Sequence, residues 1–178
     1  MDKNWFVFYT KSRQEKKVNE LLLKRDFEPF LPMQSVMRQW SDRKKKVVVP
    51  LFNSYIFVLV EEHRIPEVLQ IPGISWNIRN NGKPAMLHAH ELETIQRFVT
   101  TGLLIESSAD IESYQLGDPV KILDGPLRGA VGHLSAFHNK HRFSVILSSI
   151  GQVLTIEIDR NILGKLADKE IVRAAYLV

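Results

Sequence analysis

Histidines, cations and aromatic rings carry the chemistry available to this chain, because it contains no cysteine. That excludes a disulfide framework, a thiolate metal site and a cysteine nucleophile. His88 and His90 stand two apart without a neighbouring carboxylate pattern, which is poor geometry for a zinc site. His133, His138 and His141 fall on a predicted strand and the turn after it, and read as surface or nucleic-acid contacts. No phosphate-binding glycine loop, nucleophile elbow or zinc-protease helix is found. The expectation is a protein with no catalytic residues, no metal and no cofactor.

Binding chemistry is better represented. From Lys11 to Lys46 there are eleven Lys or Arg against five acids, whereas the whole chain carries only +4. From Leu103 to Asp118 there are four acids and no Lys or Arg. A basic segment followed by an acidic connector points to a polyanion-facing domain and a separate second domain. Arg43-Lys44-Lys45-Lys46 is the densest cluster and reads as a solvated hairpin tip. The apolar run Tyr55-Ile56-Phe57-Val58-Leu59-Val60 is far short of the ~20 residues that span a bilayer. With no N-terminal targeting pattern, a soluble, cytoplasmic protein away from membranes is expected.

The elements that position these residues can be read from periodicity. Trp5-Phe6-Val7-Phe8-Tyr9-Thr10 is an aromatic strand, apolar on both faces. Ser12 and Glu15 have capping-box spacing ahead of Val18, Leu21 and Leu22, which form the apolar stripe of an amphipathic helix ending before Pro29. A strand over 30–40, broken early by Pro32, and a basic turn follow, after which residues 46–50 lead into the long strand over 55–60. A short helix fits 65–70, Pro72-Gly73 turns into a strand over 74–79, and Leu92, Ile95, Phe98 and Val99 mark a helix over 90–100 that Gly102 stops. This β-α-β-β-α-β-α order implies an α+β sandwich with helices packed over one face of an antiparallel sheet. Residues 103–113 read as an aperiodic linker, 114–166 as all strand and turn, and 167–178 as a tail.

The run Gly117-Asp118-Pro119-Val120-Lys121-Ile122-Leu123-Asp124-Gly125-Pro126-Leu127-Arg128-Gly129-Ala130-Val131-Gly132 is the most specific stretch. A strand ends in an Asp-Gly-Pro turn, and two more glycines lead into the next strand. Gly accepts positive φ, Pro fixes its own, and Gly129 and Gly132 mark places where a small barrel bends or admits a close backbone.

That run resembles a KOW motif, and the N-terminal part resembles the NGN domain of the NusG family of transcription elongation factors. The carrying residues are Trp5-Phe6-Val7-Phe8-Tyr9, Pro50-Leu51-Phe52-Asn53-Ser54-Tyr55-Ile56-Phe57-Val58, Ile71-Pro72-Gly73-Ile74, Gly82-Lys83-Pro84-Ala85 and the Gly-Pro-Leu-Arg-Gly turn. The resemblance implies an α+β chain with an NGN α/β sandwich over 1–102 and an SH3-like β-barrel over 114–166. It implies a monomeric, non-catalytic elongation and antitermination factor. Tyr9, Phe52, Tyr55 and Phe57 would bind the clamp helices of RNA polymerase. Lys11, Arg13 and Lys17 would face nucleic acid, the exposed non-template DNA strand. Leu127 and Arg128 would meet a barrel partner such as ribosomal protein S10 or Rho.

Two departures qualify the resemblance. Asn53-Ser54 stands where the family often has Pro-Gly, and Leu127 where it often has Phe. They point to a specialised paralogue similar to RfaH-like and UpxY-like antiterminators, acting at particular operons such as capsule polysaccharide clusters. The alternatives are a general NusG-type factor coupling polymerase to Rho or the ribosome, and an RNA- or ribosome-binding KOW protein. In RfaH-like proteins the C-terminal domain can mask the clamp-binding patch as a helical hairpin. Here interior glycine at ~1 kcal/mol and proline at ~3 kcal/mol oppose a helix, so the expectation is a constitutive barrel that leaves Tyr9 and Phe52 unmasked.

Overall fold

The computed structural model describes residues 2–40, 42–109, 117–137 and 140–166. The central antiparallel sheet of the N-terminal domain takes the order β2-β5-β1-β6, from β1 (Asn4–Thr10), β2 (Glu28–Phe30), β5 (Tyr55–Val60) and β6 (Ile74–Asn77). Between β2 and β5 lies a separate two-stranded ribbon, β3 (Met33–Gln39) with β4 (Lys44–Pro50). A second small ribbon joins β7 (Arg79–Asn80) to β8 (Lys83–Pro84) across Asn81-Gly82, both at positive φ as a tight two-residue hairpin turn requires. β9 (Met86–Leu87) returns to pair with β1.

Strand alternation divides the core between the two faces of this sheet. Phe6 and Phe8 of β1 and Ile56, Val58 and Val60 of β5 share one buried cluster with Val18 and Leu22 of α1 (Glu15–Leu23) and Val68 of α2 (Ile65–Leu69). Val7 and Phe57 belong to a second cluster with Ile95 and Phe98 of α3 (Ala89–Thr100). The expectation of helices over one face is therefore corrected. β1 and β5 are apolar on both faces, and an uncovered second face would leave Val7 and Phe57 in water.

Ser12 does not cap α1. Gln14 occupies the N-cap without a side-chain bond, and the buried Glu15 carboxylate instead accepts the Ser54 N–H at 2.8 Å. Ser54 sits at φ 63°, so the chain keeps a left-handed turn where the family's glycine would make it without strain. A capping-box bond forms instead at α3, where the His88 N–H donates to Glu91 at 3.0 Å.

The C-terminal domain is a six-stranded antiparallel sheet of order β10-β14-β13-β12-β11-β15, the small barrel expected. Its strands are β10 (Ile105–Ser108), β11 (Asp118–Ile122), β12 (Val131–Phe137), β13 (Lys140–Leu147), β14 (Gln152–Glu157) and β15 (Leu163–Lys165). The linker reading is corrected over 105–108. That segment is a strand on β14, because Ile105 is buried and its backbone finds partners along Val153–Ile156. Residues 110–116, the tail 167–178 and His138 lie outside the described residues. Gly132 is needed for close approach: a Cβ there would stand 2.3 Å from the Ser144 carbonyl oxygen. Gly129 has open space and instead supplies φ 84° at the turn.

The domains are in contact. Phe98 of α3 stacks on Phe143 of β13 with centroids 6.2 Å apart, inside a cluster that runs from Val7, Leu51 and Phe52 into the barrel. About two helical turns before Phe98, Glu91 accepts the Ser149 N–H at 3.1 Å and also bonds the Ser149 hydroxyl. Arg97 donates to the carbonyls of Pro126 and Arg128. On the far side of the junction the Gln34 amide exchanges two hydrogen bonds with the Ile105 backbone.

Candidate functional site

The four aromatic candidates do not form one exposed patch. Phe57 is fully buried and Phe52 is 2% exposed, packed edge-on at 5.9 Å. Both are core residues of the face that α3 and the barrel cover, which corrects the expectation that they are displayed and that Phe52 stays unmasked. The reason lies in position along the strand. Phe57 is two residues from Tyr55 on the same face but further along β5, where the apolar cluster closes over it.

Tyr9 and Tyr55 are different. They oppose each other across β1 and β5 at the sheet's end, half-exposed, with ring centroids 5.8 Å apart in edge contact. Tyr9 also lies flat on Trp76, centroids 4.4 Å apart and planes 6° apart. Trp76 is 54% exposed although its ring is large and apolar. Sequence reasoning missed Trp76. The signal was cross-strand register: β6 pairs antiparallel with β1 and sets Trp76 opposite Tyr9. The result is a row of Tyr55, Tyr9 and Trp76 that offers flat, stiff apolar area at little rotamer cost.

The basic candidates stand around the corner. Lys11 follows β1 and holds the Gly73 carbonyl through its own N–H, with its side chain in solvent. Arg13 is exposed in the left-handed region at φ 62°, and Lys17 is exposed on α1. Arg13 lines a cleft of about 500 Å³ between the start of α1 and the β3–β4 ribbon, together with Lys16, Arg38, Pro50 and Asn53. Lys16 ties the two walls by donating to the Val48 carbonyl at 2.9 Å. Lys11 and Lys17 stand outside that cleft.

In the barrel turn, Leu127 is 4% exposed and shares a cavity lining with Arg97 and Phe98 of α3. It is therefore not displayed to a partner, a correction that follows from an apolar side chain facing an apolar helix. Arg128 is exposed, with its carbonyl taken by Arg97. His88 and His90 stack on each other in solvent with centroids 5.7 Å apart, and His133 sits half-buried, where desolvation lowers its pKa below the usual histidine value. Among the described residues no group of three or more His, Cys, Asp or Glu is placed to hold a metal ion. Among them, too, no helix is long and apolar enough to cross a membrane.

An α+β sandwich carrying a small β-barrel, with stacked aromatics on one edge and cations on another, is the class of protein defined here. The family model described as transcription termination factor nusG matches residues 3–96, more than half of the chain. The chain belongs to the NusG family. It is 26% identical over 181 residues to the transcription termination/antitermination protein NusG of Bacillus subtilis, covering 93% of this chain and all of that one. The NusG of Rickettsia felis is 26% identical over 89% of this chain and 88% of its own length. A solved structure described as domain interaction in Thermotoga maritima NusG superposes with a TM-score of 0.55 at 20% identity, over 94% of this chain and 99% of that one, and shares the fold.

Proposed function

We propose that this chain is a transcription elongation and antitermination factor that grips the clamp helices of RNA polymerase through Tyr9, Tyr55 and Trp76. The observation that carries the proposal is the half-exposed aromatic row at the end of β1, which is costly to leave in water and shaped to meet an apolar helix face. Lys11, Arg13 and Lys17 face the exposed non-template strand beside it. Binding that prefers one clamp state shifts the population toward it, and so suppresses pausing and termination. The departures at Asn53-Ser54 and Leu127 support action at particular operons, capsule polysaccharide clusters among them.

A second reading is favoured by the match to NusG relatives along almost their whole length. In it the factor serves polymerase generally and passes it to Rho or ribosomal protein S10 through the barrel, which requires Leu127 to leave its place against α3. Reconstituted elongation complexes separate the readings. Tyr9→Ala and Trp76→Ala should each weaken binding on the order of 30-fold, the equivalent of ~2 kcal/mol for an interface aromatic. Phe52→Ala should instead destabilise the fold by ~3–5 kcal/mol, as a buried aromatic does. Readthrough confined to a few templates supports the specialised role, and readthrough everywhere supports the general one. Unchanged polymerase affinity in both surface variants refutes the aromatic grip.

A further inference from the structure

The β3–β4 ribbon has a feature that the polymerase-facing surface does not use. Its register sets Arg38 directly opposite Lys45, and residues directly opposite share a face of the ribbon. Like charges in that relation destabilise a strand pair, and among the described residues no carboxylate forms an ion pair with either. Two residues beyond Arg38, on the same face, Trp40 is 51% exposed at the ribbon's end, with the Lys45 ammonium 5.6 Å from its ring centroid. Arg38 also lines the cleft that Arg13 and Lys16 enter from α1. The cations therefore run as one track from the start of α1 to the ribbon tip, where the track ends on an indole.

We infer that this track binds single-stranded nucleic acid, with Arg13, Lys16, Arg38 and Lys45 following the phosphates and Trp40 stacking a base. The inference rests on the nucleic-acid-facing role proposed for Arg13 and extends it to the ribbon. A polyanion relieves the Arg38–Lys45 repulsion that the folded chain leaves uncompensated. A flat exposed ring beside cations is the arrangement that holds single strands without sequence preference. A duplex would satisfy the cations equally but keeps its base faces stacked, leaving Trp40 without a partner.

The test uses the full chain and fluorescein-labelled 12-nucleotide single strands of mixed sequence, as DNA and as RNA, with the matching DNA duplex. Fluorescence anisotropy should show either single strand bound more tightly than the duplex, and the DNA and RNA arms identify the source. Trp40→Ala should weaken single-strand binding at least fivefold, with Trp40→Phe restoring most of it. The double variant Arg38→Gln, Lys45→Gln should lower the slope of log affinity against log salt by about 1.4, two charges at ~0.7 each. All these side chains are exposed, so Trp40→Ala should melt at the wild-type temperature, and the double variant at or slightly above it because its like-charge pair is gone. Tyr9→Ala serves as the control: it should leave oligonucleotide binding intact, so a failed aromatic grip and a failed track give different results. Absence of single-strand binding, tighter duplex binding, or indifference to Trp40→Ala each overturns the inference.

Discussion

Glu91 should couple the two domains measurably, and its partners allow the size of the effect to be worked out. Its buried carboxylate accepts the His88 N–H, which caps α3, and the N–H and hydroxyl of Ser149 across the junction. Loss of an N-terminal cap costs ~1 kcal/mol, and a hydrogen bond to a charged group ~1.5–3 kcal/mol. Glu91→Ala should then destabilise by ~4–7 kcal/mol, ~1 kcal/mol of it within α3 and the larger part at the junction. Ser149→Ala removes the hydroxyl bond alone and should cost ~1.5 kcal/mol. In the double variant that bond is already gone, so the costs should fall short of additivity by ~1.5 kcal/mol, well outside the ~0.3–0.5 kcal/mol scatter of independent sites. Urea unfolding of the full chain provides the assay. Trp5, Trp40 and Trp76 all lie in the N-terminal domain, so fluorescence reports that domain and far-UV circular dichroism reports both. The two probes should coincide in the wild type and separate in Glu91→Ala. Additive costs for Glu91 and Ser149, with coincident probes throughout, would refute the junction as an energetic link.

Other outcomes follow from single residues. Gly132→Ala should unfold the barrel or cost several kcal/mol, since its Cβ would press on the Ser144 carbonyl oxygen and the Phe143 ring; Gly129→Ala, strained only by its φ, should cost less. Their order in thermal melts checks the distinction. Glu15→Ala should cost ~1–3 kcal/mol by orphaning the buried Ser54 N–H, with Glu15→Gln recovering part of it because the amide oxygen still accepts. His133 is held below the usual histidine pKa by desolvation, so the fold prefers its neutral form. The stability this gives is complete above the unfolded-state pKa near 6.5 and is lost as pH falls from there through the lower folded value. His133→Gln should flatten that part of the pH–stability curve and leave the curve near pH 8 unchanged in slope.

What the sequence determined by itself was local and periodic. Alternating β-branched runs, Pro119 and the glycines of 117–132 make a helix costly, so the small antiparallel barrel was legible. So were the aromatic first strand, the helix bearing Leu92, Ile95 and Phe98, and the concentration of cations before residue 47. Tertiary structure decided whatever depends on which face of a strand meets which partner. Tyr9 and Phe52 are both aromatic and near a strand end, yet one lies on an open edge and the other beneath α3 and the barrel. Trp76 gained its place through register with β1, across more than sixty residues of chain. Ser12 and Glu15 had the right spacing for a cap, but Glu15 found a better donor in Ser54, 39 residues away. Residues 105–108 looked like connector because a four-residue edge strand carries too little pattern to announce itself. They became a strand only because β14 offered unpaired backbone, and an unpaired backbone group is too costly to bury alone.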